Sequence, residues 1–191
     1  MGMTNIEQQI IASSRAHGGL VTTWDMNARG ISTDSLVHWA RRHGDYDKLG
    51  HGVYNFYTLN ERENINTDDQ KWWLPLCQVA DPEAYLYGES VFAFYDLGYA
   101  MPKKDYVRAK TSYTHMPDKA TIVSPMKPED RVDIIRGMRL QSLAQAFNEV
   151  PEMRTDYLLE AAEDAYDHNL LTGYDYMTIT NKLNHQYKKA A

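Results

Sequence analysis

The chain has 191 residues, 43% of them apolar and 24% charged, and a formal net charge of −6. That length suits one domain of ordinary size or two small ones, with enough apolar material for a buried core. There is no run of about eighteen apolar residues and no basic-then-apolar leader, so neither a membrane span nor a secretory signal is expected, and the expected location is the cytoplasm. Cys77 is the single cysteine, which excludes an internal disulfide and a thiolate-rich zinc site.

The charge is unevenly spread. Residues 1–57 balance Arg15, Arg29, Arg41, Arg42 and Lys48 against Glu7, Asp25, Asp34, Asp45 and Asp47, and hold four of the seven histidines. The rest of the chain carries the whole negative excess, so a polyanion meets least repulsion at the N-terminal end.

In chain order, TNIEQQIIASSRAHGG predicts a helix. Thr4 or Asn5 caps it, Glu7 sits in its first turn, Ile6, Ile10 and Ile11 share one face, and Gly18-Gly19 stop it. A short second helix follows in TTWDMNARG, capped by Thr22 or Thr23 and closed by a tight turn at Gly30. ISTDSLVHWARRHG predicts a third, capped by Ser32 or Thr33, with Leu36, Val37 and Ala40 inward and a stop at Gly44. YDKLGHGVYNFY then reads as a two-stranded ribbon. Tyr46 and Leu49 lie on its first strand, Val53, Tyr54 and Phe56 on its second, and Gly50-His51-Gly52 makes the reversal. Three helices with a glycine turn before the third, followed at once by a ribbon, is the order of a winged helix-turn-helix. Core packing is the expected role of Val53 and Tyr54.

Residues 58–69, TLNERENINTDD, are polar and aperiodic and read as a linker, which puts the expected domains at 1–60 and 69–191. Beyond it come a helix near Trp72–Val79, an extended Ala84–Tyr87, and a helix Glu89–Leu97 closed by Gly98. Three strands of a small antiparallel sheet are expected in DYVRAKTSYT, ATIVSPM and VDIIRGMRL. Helices are expected in LQSLAQAFNEV, TDYLLEAAEDAYDHNLL and YDYMTITNKLNHQYKKAA. The expected class is α+β.

The stretch Gly18–Phe56, GGLVTTWDMNARGISTDSLVHWARRHGDYDKLGHGVYNF, resembles the N-terminal winged-helix domain of the AbiEi family, antitoxins of abortive-infection type IV toxin–antitoxin systems. The resemblance rests on VTT before the second helix, RGIS at the turn, Leu36 in the recognition helix, the Gly44 stop and LGHGVY in the wing. AYLYGESVFAFYDLGYAMP is similar to a family helix that ends in a small-apolar-Leu-Gly pattern. The resemblance implies a DNA-binding domain that represses its own operon, joined to a C-terminal domain that neutralises a nucleotidyltransferase-like toxin encoded beside it. Where family members often carry an arginine at the wing tip this chain has His51, so that the strength of a phosphate contact there varies with the protonation of the imidazole.

On the third helix, Ser32, Thr33, Ser35, His38, Arg41 and Arg42 form the set able to reach base edges and phosphates from a major groove. Asp34 opposes that role unless it caps the helix or accepts from a cytosine amine. Lys48 and His51 on the wing and Arg29 before the turn are the remaining phosphate candidates. With so few cations, one protomer binds DNA with a shallow salt dependence, and two protomers on a symmetric operator would steepen it.

No catalytic constellation, metal site or cofactor is expected. Cys77 sits in an apolar helical stretch as an inert buried thiol. His115, His168 and His185 stand apart, and PEDRVD lacks the downstream Glu-x-Lys of a restriction-type nuclease. The acidic run Glu160–Asp167 is either a solvated face or a surface for a basic partner. The alternative to an antitoxin is a winged-helix protein whose C-terminal domain is an enzyme or nuclease-like module.

Overall fold

The computed structural model describes residues 5–43, 45–98, 100–110, 121–150 and 153–190, the last five by backbone alone. Several expectations fall outside these: Thr4 as a cap, Gly44 as a helix stop, residues 111–114 and Ala120 as strand, and His115. The chain is α+β and divides into two compact units. The first holds the described residues up to Glu83 together with Arg136–Met138, and the second holds the described remainder.

In the first unit, α1 (Asn5–Ala16), β1 (Leu20–Thr22), α2 (Thr23–Ala28) and α3 (Thr33–His43) precede the ribbon β2 (Asp47–Gly50) and β3 (Val53–Asn55). The strands form an antiparallel sheet in the order β1-β3-β2, with Tyr54 paired to Val21 on one side and Lys48 on the other. Strand β1 leaves no signal in the sequence, because its three residues are too few to show alternation and follow a glycine pair. The ribbon closes over His51 and Gly52, and only Gly52 of the flanking glycines has positive φ, at 71°.

Ile10, Ile11, Val21, Met26, Leu36, Trp39, Tyr54 and Phe56 build one core. The inward stripe of α3 is Leu36, Trp39 and Ala40, and Val37 is only half-buried. This i, i+3, i+4 spacing puts the large indole under the helix, where its ring meets Phe56 edge-on at 5.4 Å.

Two further elements belong to this unit. The polar run read as a linker contains α4 (Tyr57–Arg62), which turns Leu59 and Asn60 inward. With one apolar side chain facing the core, such a helix leaves no periodic signal. Helix α5 (Gln70–Val79) brings Cys77, with Trp73 and Leu74, against Leu20 and Val53 on the sheet face away from the first core. The first unit therefore has a second hydrophobic layer, built where α5 packs on the sheet, and it extends along the chain to Glu83.

The second unit runs β4 (Tyr85–Leu86), α6 (Glu89–Phe94), β5 (Asp105–Ala109), β6 (Thr121–Pro125), β7 (Val132–Ile135), β8 (Met138–Gln141), α7 (Leu143–Ala146), α8 (Thr155–Asp167) and α9 (Gly173–Ala190). Its sheet has the order β6-β5-β4-β8-β7. The expected segments do form strands, but the sheet is mixed: β5 runs parallel to β6 and β4 parallel to β8, while β4 and β5 are antiparallel. VDIIRGMRL is two strands, because Arg136 (φ 51°) and Gly137 (φ 81°) adopt the paired left-handed conformation of a tight hairpin turn. The helix expected at 140–150 shrinks to α7, since Leu140 and Gln141 are drawn into β8. On α8, Leu158, Ala161, Ala162 and Ala165 are buried at helical spacing, and Ile179 and Leu183 of α9 are buried likewise.

Candidate nucleic-acid interface

The turn before α3 is set by Gly30 (φ 80°), whose added Cβ would meet nothing within 4 Å. The conformation, not crowding, selects glycine there. The Gly30 N–H donates to Asn27 O at 3.0 Å and the Ile31 N–H to Met26 O at 2.9 Å, closing α2. At its other end Thr22, not Thr23, caps α2, its hydroxyl accepting from the Asp25 N–H at 3.2 Å. Ser32 caps α3 in the same way, accepting from the Ser35 N–H at 3.2 Å.

The candidate DNA-facing residues then separate by what already holds them. Ser32 and Ser35 share a hydroxyl–hydroxyl bond of 2.8 Å, so both are occupied at the helix start. Arg29 Nε donates to Asp25 Oδ2 at 2.8 Å with the arginine side chain 28% exposed. This partly buried i, i+4 pair takes charge away from a phosphate. Thr33, His38, Arg41 and Arg42 are exposed on α3, as are Lys48 and His51 on the ribbon. Asp34 is exposed at the start of the same helix, where the helix dipole favours it. Asp47 accepts from the Tyr57 hydroxyl at 2.5 Å.

The end of α3 and the wing meet across one tyrosine. Burial and neighbouring Tyr46 push the Tyr54 hydroxyl pKa upward, and the charge of Arg41 pulls it the other way. Tyr54 is also the register partner of Lys48. Arg41 and Lys48 thus belong to one basic edge that joins the last turn of α3 to β2. His43 is not part of it: its ring stacks on Trp39 at 4.1 Å and Nδ1 lies 2.8 Å from Trp39 O.

Sequence patterns carry no sign of the polar chain that holds this frame together. The Ser14 hydroxyl donates to Asn60 Oδ1 at 2.5 Å, and Asn60 Nδ2 donates to Gly19 O and Asn55 Oδ1, each at 2.9 Å. These buried groups tie α1, β1, β3 and α4. His17 lies edge-on to Trp24 and Trp73 at 5.4 and 5.3 Å, and burial holds its pKa below 6.5. Cys77 is buried and its thiol pKa is pushed up by burial. Among the described residues, no three His, Cys, Asp or Glu gather as a metal site, and no helix is long and apolar enough to cross a membrane.

Residues 8–57 match a family model described as transcriptional regulator, AbiEi antitoxin. The match runs from within α1 to the first residue of α4 and contains the whole Gly18–Phe56 stretch, while AYLYGESVFAFYDLGYAMP lies outside it. No curated protein matches the chain.

Proposed function

From the match over residues 8–57, we propose that the chain is a DNA-binding transcriptional autorepressor and the antitoxin of a type IV toxin–antitoxin pair, acting in the cytoplasm. The observation that carries this is the basic edge of Arg41 and Lys48, with Arg42, His38 and Thr33 exposed on the same helix, inside the matched winged helix. An arginine pair in the last turn of a recognition helix reaches phosphates on either side of the groove, and the side chains of the earlier turns reach base edges. The acids Asp34 and Asp45 limit the affinity of one protomer, which favours two copies on a symmetric operator. Its DNA is the operator of its own operon.

Neutralisation of a nucleotidyltransferase-like toxin encoded alongside is assigned to the second unit. Glu160, Glu163 and Asp167 stand exposed along α8, a sign of charge that suits a partner whose own site handles nucleotides. The reading is non-enzymatic.

The test is a gel shift with the chain's own promoter, paired with growth rescue on co-expression with the neighbouring gene. Replacing Arg41 and Arg42 by Ala should weaken binding to all DNA sequences alike and reduce the salt slope by about one for each phosphate no longer neutralised, leaving rescue intact. Undiminished promoter binding by the double variant at equal salt would remove α3 from the interface.

A further inference from the structure

The Ser32 hydroxyl caps α3, accepting from the Ser35 N–H, so the first turn does not need an acid as its cap. The exposed Asp34 carboxylate has no hydrogen-bond or ion-pair partner among the described residues. Neighbouring acids of the same unit differ. Asp25 holds Arg29, Asp47 accepts from the Tyr57 hydroxyl at 2.5 Å, and Asp45 lines a cleft with Glu7, Phe56 and Arg62.

Leu36, Trp39 and Ala40 bury the inner side of α3. At about 100° per residue, Asp34, His38 and Arg41 fall in one column on the opposite side, and all three are exposed. The column rises about 10 Å from Asp34 to Arg41, or about three base-pair steps of a duplex. The unpartnered acid therefore stands on the outermost line of the helix, in the same row as the cations assigned to phosphates.

The groups of this column differ in what they can read. Arg41 only donates, His38 donates or accepts according to its tautomer, and an ionised carboxylate only accepts. Asp34 is the one acid within Thr33–His43. Near phosphates its charge costs affinity, and in the major groove the groups able to offset that cost are base amines. Guanine and thymine present acceptors there, adenine sets its N7 acceptor beside the N6 amine, and cytosine presents the N4 amine alone. We propose that Asp34 sets DNA specificity, its carboxylate accepting from the N4 amine of a cytosine, so that the operator carries a C·G pair opposite the first turn of α3. This rests on the reading that α3 enters the major groove of the operator. Asp34 then lowers affinity for DNA in general and restores it at one base pair.

The test is fluorescence anisotropy of the full chain on its own promoter at one salt concentration. Each base pair of the bound region is replaced in turn by the other three, and a random-sequence duplex of equal length is the reference. For the parent, one C·G to T·A replacement, which puts an acceptor where the amine stood, should weaken binding at least about tenfold. Asp34→Ala should erase that penalty, leave the penalties at other pairs in place and bind the random duplex more tightly than the parent, because a charge that repels phosphates is gone. Asp34→Asn should shift the preference at that pair to adenine, whose N6 and N7 an amide bonds together. A misfolded variant loses the random duplex as well, and if Asp34→Ala does so, Asp34→Asn carries the decision. A parent that binds its promoter no more tightly than the random duplex would overturn both the autorepressor reading and the role of Asp34. A replacement pattern that the Asp34 variants leave unchanged, or change at an A·T pair alone, would overturn the role of Asp34 and leave that reading standing.

Discussion

The wing carries two glycines that look equivalent in the sequence and are not in the fold. Gly52 has φ 71°, and a Cβ added there would lie 2.4 Å from Thr23 Oγ1. The Gly52 carbonyl also accepts from the Thr23 N–H at 2.8 Å, so the tip has no room to back away. Left-handed backbone costs a non-glycine residue about 1–2 kcal/mol, and forcing Thr23 off its rotamer adds about 0.5–1.5 kcal/mol. The lower entropy of the unfolded chain returns about 0.4–1 kcal/mol. Gly52→Ala should therefore destabilise by about 2 kcal/mol. Gly50 has no positive φ, and its added Cβ would meet the flexible Gln78 Nε2 at 3.0 Å. The same entropic gain there offsets the weakening of one 3.3 Å bond from Gln78 to Leu49 O, a loss of about 0.5–1.5 kcal/mol, so Gly50→Ala should be close to neutral. All four tryptophans, Trp24, Trp39, Trp72 and Trp73, lie in the first unit. Urea unfolding followed by tryptophan fluorescence thus reports that unit alone. With m of about 1–3 kcal/mol/M, Gly52→Ala should lower its midpoint by about 1 M, and Thr23→Ala in the same chain should recover part of the loss. Equal midpoints for Gly50→Ala and Gly52→Ala would refute the assignment of the reversal to Gly52.

Other outcomes follow from the same unit. Burial keeps His17 neutral when folded, while the unfolded chain takes up a proton below pH 6.5. The contribution of His17 is therefore fully present above that value and is lost as pH falls, by at most about 1.4 kcal/mol per pH unit for one proton. His17→Gln should flatten the stability profile between about pH 7 and 5, read from urea midpoints at each pH. A fragment ending at residue 60 lacks α5 and uncovers Leu20 and Val53, both fully buried, at about 1.5–3 kcal/mol each. Circular-dichroism melts should show residues 1–83 folding cooperatively and residues 1–60 melting far lower or not at all, and equal melts would make α5 dispensable to the winged helix. On the second unit, Glu160→Lys with Glu163→Lys should abolish growth rescue while promoter binding persists. Undiminished rescue would move the toxin-facing surface off α8.

Local chemistry sufficed for the order of the winged helix. Caps, glycine stops and the Leu36 and Ala40 spacing each act within a turn or two of their own position, and so they are visible in a linear string. The exposed members of the candidate set, Thr33, His38, Arg41, Arg42, Lys48 and His51, are legible for the same reason, since polarity on the outer face of a helix or ribbon is itself a local pattern. The structure decided which candidates are blunted by intramolecular partners: Arg29 is bound to Asp25 and Ser35 to Ser32 only because α2 and the start of α3 bring those atoms within reach. It also decided that Trp39 faces inward, that α4 and α5 complete the first unit, and that β4 and β8 run parallel. These depend on interactions between residues far apart in the chain, as Ser14 with Asn60 or Arg108 with Glu149. A polar side chain reads as solvated in sequence, and only tertiary packing determines whether another polar group arrives to offset the cost of its burial.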